Sequence, residues 1–304
     1  MRTARPRPLA ERLEAAASLG RDIEAVARTV FDTVAEDVPF AFACLATTDP
    51  ANGLITGASK SHPLPIGDDE FAAAEYGQPD VNLFAELELR PVPVGVLSVD
   101  TDGRPGSCRR FREFMAPRFG FTDELRLACR AGGTTWGLLA LYRGADEPPF
   151  TPRDGRILAA VGEVVAHGVR RALFGGSSSG AQGTGGPVVL IVDAGNRVTD
   201  TSAAASGLIE ELGGWDNGSL PASVLSVAAT ARAGISPAKA RVPGRSGRWL
   251  TVQAVALEGS TTDRSIVLTF ETAAHASVGE MMIAARGLTA REQDVAALVL
   301  QGAS

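Results

Sequence analysis

The sequence predicts an α+β fold in two domains, on three observations. Apolar residues recur at helical spacing near both ends of the first half of the chain, and strand-like apolar runs lie between them. A glycine- and serine-rich stretch then divides the chain at residues 175–187. With 304 residues, of which 45% are hydrophobic and 21% charged, the chain is long enough for two domains that each bury a core.

The dividing stretch, GGSSSGAQGTGGP, has the composition of a flexible linker. It sets the predicted boundaries: a first domain over 1–174, the linker over 175–187, a second domain over 188–273, a connector over 274–286 and a C-terminal element over 287–304.

Two helices are predicted at the ends of the first domain. From Leu9, apolar and small residues follow alternating steps of four and three as far as Val34, and the pattern recurs from Ile157 to Ala172. Two interpretations stay open: the helices cover a sheet, or they form the seam of a homodimer. We expect a homodimer on the second interpretation.

Four strand-like runs lie between these helices: FAFACLATT, GLITGAS, DELRLACRA and TTWGLLALYR. Gly132 and Gly133 separate the last two runs and predict a tight hairpin. Helical pieces are expected at about 68–77 and 107–117. Helix, antiparallel strands, intervening helices, hairpin and helix together make an α+β layout.

The order of these elements over residues 9–174 resembles a GAF domain, and FTPRDGRILAAVGEVVAHGVRRAL is similar to the C-terminal helix of that family. The resemblance implies an antiparallel sheet flanked by helices, with a small-molecule site on the sheet face that the segments between the strands cover. Those segments hold much of the chain's aromatic content. The predicted pocket residues are Phe71, Tyr76, Phe84, Phe111, Phe114, Met115, Phe119 and Cys129. Ordinary core packing is the alternative for each of them.

The second domain begins with an apolar strand, PVVLIV, a turn at Asp193–Asn196, a short strand and an alanine-rich helix. Two runs with period-two alternation follow, RWLTVQAVAL and RSIVLTFET. This order is similar to a short PAS domain. Whether it binds a ligand of its own stays open.

The C-terminal stretch GLTAREQDVAALVLQGAS has the form of a helix that starts with a capping box at Thr289 and Glu292 and stops at Gly302. It closely resembles the opening of the LuxR-type helix-turn-helix domain, on Leu288, Thr289, Arg291, Glu292, Val295 and Gly302. The resemblance implies a transcriptional regulator whose sequence here stops before the recognition helix. No base-contacting residue is therefore carried over.

Charge and composition restrict the partners. A formal net charge of −6 lacks the basic footprint of a nucleic-acid-binding surface, so we expect DNA contact only through the full-length protein. No apolar run approaches the ~18 residues of a membrane span and no signal peptide is visible, which favours the cytoplasm and no membrane partner.

Three cysteines are too few for a disulfide framework. Cys108 precedes Arg109, Arg110 and Arg112, and nearby positive charge favours a reactive thiolate. The alternative function is therefore a GAF-type thiol redox sensor, or an enzyme similar to methionine sulfoxide reductases, that uses Cys108 with Cys44 or Cys129.

The three histidines are isolated, and neither a metal site nor a cofactor is predicted. We assign no catalytic residue and expect no enzyme. The favoured hypothesis is a ligand-responsive transcriptional regulator, in which an unidentified small molecule binds the GAF-like domain and controls a C-terminal DNA-binding domain.

Overall fold

The computed structural model describes residues 8–17, 22–175, 188–257, 265–286, 291–292 and 295. These residues form two compact units, each with its own five-stranded sheet of antiparallel strand pairs and accompanying helices. The predicted α+β class is confirmed.

The units are not simple halves of the chain. Among the described residues, the first unit comprises 8–17, 22–48, 58–63 and 79–175, and the second comprises 49–57, 64–78 and the residues from 188 onward. Two segments that precede the linker thus pack in the second unit. The domain boundaries drawn from the sequence stay a prediction.

Before the linker the strands are β1 (Phe42–Thr48), β2 (Ile55–Lys60), β3 (Val94–Val96), β4 (Asp123–Ala131) and β5 (Thr134–Arg143). The sheet has the order β2-β1-β5-β4-β3. The α-helices are α1 (Leu9–Ala17), α2 (Ile23–Ala35), α3 (Asp69–Gly77), α4 (Phe84–Leu87), α5 (Leu97–Asp100), α6 (Ala116–Phe119), α7 (Pro152–Ala159) and α8 (Gly162–Phe174). A 3₁₀ turn (Pro105–Ser107) and a π-helix (Phe111–Met115) precede α6.

The β4–β5 hairpin forms where the sequence predicts it. Gly132 and Gly133 have φ values of +60° and +79°, and they connect Ala131 directly to Thr134. A two-residue loop with positive φ at both positions matches the right-handed twist of the strands, and glycine adopts it without strain.

The predicted N-terminal helix is two helices. Asp22 has extended backbone angles, and its carboxylate accepts a hydrogen bond from the Ala25 backbone N–H at 2.8 Å, which starts α2 afresh at Ile23. The prediction of one continuous helix was therefore wrong, because an N-cap interrupts it.

Four of the predicted seam positions are buried within the chain. Leu13, Ala27, Val30 and Val34 are at most 1% exposed, and α1, α2 and α8 pack together in the first unit. This burial fits the interpretation in which the helices cover a sheet, and the expected homodimer stays a prediction.

The C-terminal part of the first unit is also two helices. Thr151 and Asp154 form a capping box at the start of α7, and α8 follows from Gly162. Gly137 of β5 lets α8 approach closely, because a Cβ there would lie 3.3 Å from a methyl carbon of Val169. This helix layer covers one face of the first sheet.

The second unit has the strands β6 (Val188–Val192), β7 (Val198–Thr201), β8 (Ala238–Pro243), β9 (Trp249–Ala256) and β10 (Ile266–Thr272). Their order is β7-β6-β10-β9-β8, so both sheets have the same 2-1-5-4-3 arrangement. The helices of the second unit after the linker are α9 (Ala205–Glu211), α10 (Ala222–Arg232) and α11 (His275–Ala285).

Helix α10 is buried along most of its length because it packs against both the second sheet and α3. The Ser226 hydroxyl donates to the Ile55 carbonyl at 2.7 Å, and the Ile55 backbone N–H donates to the Tyr76 hydroxyl at 3.0 Å. These contacts fix segments 49–57 and 64–78 in the second unit.

Of the LuxR-like stretch, Arg291, Glu292 and Val295 are helical. Leu288, Thr289 and Gly302 lie outside the described residues, as does the linker after Gly175. Across the described part of the chain, no helix is both long enough and apolar enough to cross a membrane.

Candidate ligand-binding face

The two faces of the first sheet carry different chemistry. On one face Leu125, Leu127 and Cys129 of β4 align with Leu141, Leu139 and Gly137 of β5, beneath α8. The other face, here called the charged face, carries Phe42, Cys44, Ala46, Glu124, Arg126, Ala128, Leu138, Ala140 and Tyr142.

A buried ion-pair network lies on the charged face. Arg110 donates two hydrogen bonds of 2.8 Å to the two carboxylate oxygens of Glu124, and the Nε of Arg126 lies 3.1 Å from Oε1 of the same carboxylate. All three side chains are at most 1% exposed. Two guanidinium groups thus share one carboxylate in a low-dielectric setting, where charge-assisted hydrogen bonds are strong.

The segment that follows α3 supplies further partners to Arg126. Its Nη1 donates to the Asn82 carbonyl at 2.9 Å, and its guanidinium carbon lies 4.2 Å from the centroid of the Phe84 ring. Asn82 is itself fixed, since its amide donates to Asp100 and accepts from Arg90, both at 2.9 Å. Residues 82–110 are therefore tied to the charged face by polar contacts.

Electrostatics hold Glu124 ionised. Burial by itself would raise the pKa of this carboxyl, but the charges of Arg110 and Arg126 and the hydrogen bonds from Arg110 and Tyr142 lower it to about 2. Burial raises the pKa of Tyr142 well above its ordinary value, and the Glu124 charge adds to that effect. The Tyr142 hydroxyl therefore stays protonated and donates to the carboxylate.

An aromatic stack adjoins this network. Tyr142 stacks on Phe121 with centroids 4.8 Å apart, and Phe121 contacts Phe42 at 5.7 Å and Phe119 at 5.4 Å. Phe119 continues to Phe114 at 5.5 Å. Two predicted pocket residues, Phe114 and Phe119, thus belong to one contiguous aromatic cluster on the charged face.

The segment with Phe111, Phe114 and Met115 is a π-helix, in which the Ala116 N–H donates to the Phe111 carbonyl. These three side chains are at most 5% exposed. Single π-helical turns are frequently found at functional sites. Arg110 immediately precedes this turn, so the turn positions the guanidinium on Glu124.

Asp80 holds the start of that segment. Its carboxylate accepts from the backbone N–H groups of Arg109 at 3.0 Å and Arg110 at 2.7 Å, and from the Cys108 thiol at 3.3 Å. Burial would raise the pKa of Asp80, but these bonds and one from the Val81 N–H lower it. An ionised Asp80 therefore anchors residues 108–110.

Cys108 is not in the setting expected of a reactive thiolate. The residue is buried, and burial raises the pKa of its thiol to about 11, which the positive charge of Arg110 does not offset. The expectation that the arginine run activates this thiol is corrected: the Arg110 guanidinium is directed to Glu124, and the thiol donates to the Asp80 carboxylate.

The other two cysteines lie on opposite faces of the first sheet. Cys44 pairs in register with Ala140 on the charged face, and Cys129 pairs with Gly137 beneath α8. Burial raises the pKa of the Cys129 thiol strongly. Cys129 therefore lies apart from the other predicted pocket residues, although it shares the Leu125–Leu127 face as the sequence indicated.

The remaining predicted residues divide between the units. Phe84 contacts Arg126 on the charged face. Phe71 and Tyr76 lie in α3 of the second unit, where the Tyr76 hydroxyl accepts from Ile55. Whether any of the predicted set binds a ligand stays a prediction.

Sequence reasoning missed the polar and charged residues that organise the face: Asn82, Arg110, Glu124, Arg126 and Tyr142. A signal was present, because Glu124 and Arg126 alternate with leucines in DELRL. Period-two alternation places both on one face of the strand. Their burial could not be read from that pattern.

Neither a metal site nor a histidine cluster is apparent within the described residues, where no group of three His, Cys, Asp or Glu side chains is arranged to hold an ion. His62 lies beside Phe42, and His167 lies 3.6 Å from Glu163 on α8.

No protein-family model matches the sequence, and no curated protein does. Solved GAF domains are similar to it. The GAF domain of a phosphoenolpyruvate-protein phosphotransferase from Coxiella burnetii is 11% identical, with 54% of this chain and 92% of that chain covered and a TM-score of 0.33. The corresponding domain from Acinetobacter is 9% identical, with 56% and 95% covered and a TM-score of 0.32.

The bacteriophytochrome RpBphP3 from R. palustris covers more of the chain. It is 11% identical, with 87% of this chain and 61% of that chain covered and a TM-score of 0.38.

Proposed function

We propose that the chain is the sensory portion of a ligand-responsive transcriptional regulator, with a small molecule bound over the charged face. The observation that supports this most is the buried Arg110–Glu124–Arg126 network. It places fixed polar groups beside an aromatic wall, and ligand sites typically combine apolar surroundings with a few oriented polar groups.

Small side chains on the charged face would leave room for a ligand beside the network. Next to the network, Cys44, Ala46, Ala128 and Ala140 present small side chains on three adjacent strands. The covering segment reaches the face through Asn82 and Phe84 and through the π-helical turn. Ligand contact with that turn would alter the preferred position of residues 108–115.

The proposed output is DNA binding, on the resemblance of residues 287–304 to the LuxR-type domain, with helical Arg291, Glu292 and Val295 at matching positions. The regulator would act in the cytoplasm as a homodimer and without catalysis. A ligand shifts such a system only by the difference in its affinity for the two arrangements.

Native mass spectrometry tests the binding step. The chain is incubated with a panel of small metabolites, beside Ala140→Leu, which adds volume on the charged face, and Ala145→Leu, a matched change in an exposed loop. We expect a non-covalent mass on the wild type and on Ala145→Leu and its loss from Ala140→Leu. Equal retention by Ala140→Leu would move the site away from this face.

Chromatin immunoprecipitation of the tagged protein in its own host tests the output. Enrichment of discrete promoter regions is expected, with a change in enrichment when a bound metabolite is supplied. A uniform background across the genome would contradict the regulator proposal, whatever the outcome of the binding experiment.

A further inference from the structure

Arg241 of β8 joins two parts of the second unit that are distant in sequence. Its backbone N–H and its Nε donate to Oδ2 of Asp49 at 2.8 and 3.0 Å, and its Nη2 donates to Oδ1 at 2.5 Å. Its Nη1 donates to the Ser277 carbonyl in the first turn of α11, at 2.8 Å. One guanidinium thus holds a carboxylate and a helix at the same time.

Asp49 is the residue directly after β1, whose alternate positions Phe42, Cys44 and Ala46 lie on the charged face. The Asp49 side chain is 2% exposed, and it also organises its own turn. Its Oδ1 accepts from the Ala51 N–H, and its backbone carbonyl accepts from the Gly53 N–H. These bonds make the Asp49 carboxylate part of the turn over residues 49–53.

Helix α11 is the element that leads to the LuxR-like stretch. The residue four positions after Ser277 is also within α11, so the Ser277 carbonyl can accept a helical hydrogen bond. The bond from Arg241 is additional to it. Because the donors of the guanidinium lie in one planar fork, displacing the carboxylate either moves the Ser277 carbonyl with it or weakens one of the two contacts.

We propose that Arg241 is a positioning residue that couples the turn after β1 to helix α11. The contact itself is independent of any ligand; its use as a signalling route rests on the proposed function. Coupling requires that a change in the turn alters α11, and that this effect depends on Arg241. A double-mutant cycle measures this dependence.

The experiment is hydrogen–deuterium exchange of the ligand-free chain for wild type, Asp49→Asn, Arg241→Met and the double variant. Asp49→Asn is expected to speed exchange of the α11 amides about tenfold, on the usual worth of a charge-assisted hydrogen bond. In the Arg241→Met background the same change should add less than about twofold. Arg245→Met is the control, since that guanidinium contacts the Gly213 carbonyl and Glu210.

Two results would overturn the proposal. Asp49→Asn could loosen residues 49–54 while α11 keeps its wild-type exchange, or its effect on α11 could be equal with and without Arg241. Exchange of α10 reports global unfolding. If the α10 amides exchange faster by the same factor as the α11 amides, the milder variants Asp49→Glu and Arg241→Lys replace the original pair. The same two results would then overturn the proposal.

Because no ligand is used, failure here leaves the proposed function standing, and failure of ligand binding leaves this coupling standing.

Discussion

Arg110 binds both carboxylate oxygens of Glu124 at 2.8 Å, and each of the two side chains is 1% exposed. Arg126 contacts the same carboxylate, so two guanidinium groups share Glu124. Removing either partner of a buried pair leaves an uncompensated charge in a low-dielectric site. This asymmetry gives the first prediction.

Glu124→Gln should destabilise the protein more than Arg110→Met. The first change leaves Arg110 and Arg126 without their shared carboxylate and should lower the free energy of unfolding by about 3–5 kcal/mol. The second leaves Glu124 with Arg126. Urea unfolding of both variants measures the difference. Equal losses would contradict the asymmetry between the two partners, and a Glu124→Gln loss below about 1 kcal/mol would mean that the network contributes little to stability.

Acid should destabilise the protein partly through this carboxyl. The pKa of Glu124 is lowered from 4.5 to about 2 by the two arginines against the effect of burial, so its contribution is present above about pH 4.5 and is lost as the pH falls toward 2. The pKa of Asp80 is also lowered, so protonation of Asp80 in acid likewise reduces stability. Burial raises the pKa of Asp123, so protonation of Asp123 has the opposite effect on stability.

The measurement is the free energy of unfolding at several pH values between 2.5 and 5, a window set by the folded and ordinary pKa of Glu124. The free energy of unfolding should fall less steeply with decreasing pH in Glu124→Gln than in wild type. Identical slopes would show that other carboxyl groups carry the acid sensitivity.

Cys108 and Cys129 should resist alkylation in the folded protein. Both are buried, and burial raises the pKa of both thiols, that of Cys108 to about 11, so little thiolate forms at neutral pH. Iodoacetamide labelling followed by peptide mass spectrometry should give slow labelling in buffer and fast labelling of all three cysteines in urea. Rapid native labelling of Cys108 would revive the thiol-sensor alternative.

Gly133→Ala should destabilise the protein by about 1–2 kcal/mol, the usual cost of a left-handed conformation for a residue with a Cβ. Its φ is +79°, and an added Cβ would meet nothing within 4 Å, so backbone strain is the only cost. Gly106→Ala is the matched control, because a Cβ there also meets nothing and no positive φ is required. Similar losses in both variants would argue against strain at the hairpin.

Local chemistry explains which elements the sequence predicted well. The runs DELRLACRA and TTWGLLALYR became β4 and β5 because the paired glycines between them allow a two-residue turn. The helix breaks at Asp22 and after Ala159 were missed, because apolar periodicity continues across a cap. Capping depends on one side chain, whereas periodicity averages over many residues.

The candidate site was predicted only in part. Aromatic content pointed to Phe84, Phe111, Phe114, Met115 and Phe119, which the structure places in the segment that covers the charged face. It also pointed to Phe71 and Tyr76, which pack in the other unit. Composition identifies an aromatic-rich segment, but it contains no information on how the chain divides between two cores.

By itself, the sequence determined the α+β class, the strand pattern and the hairpin, because alternation and turn residues act over a few positions. Only the tertiary structure decided which charges meet. Arg110 and Glu124 are 14 residues apart, and Asp49 and Arg241 are 192 apart. Such pairs form when packing brings distant segments together and excludes water, and that exclusion turns ordinary surface residues into a buried network.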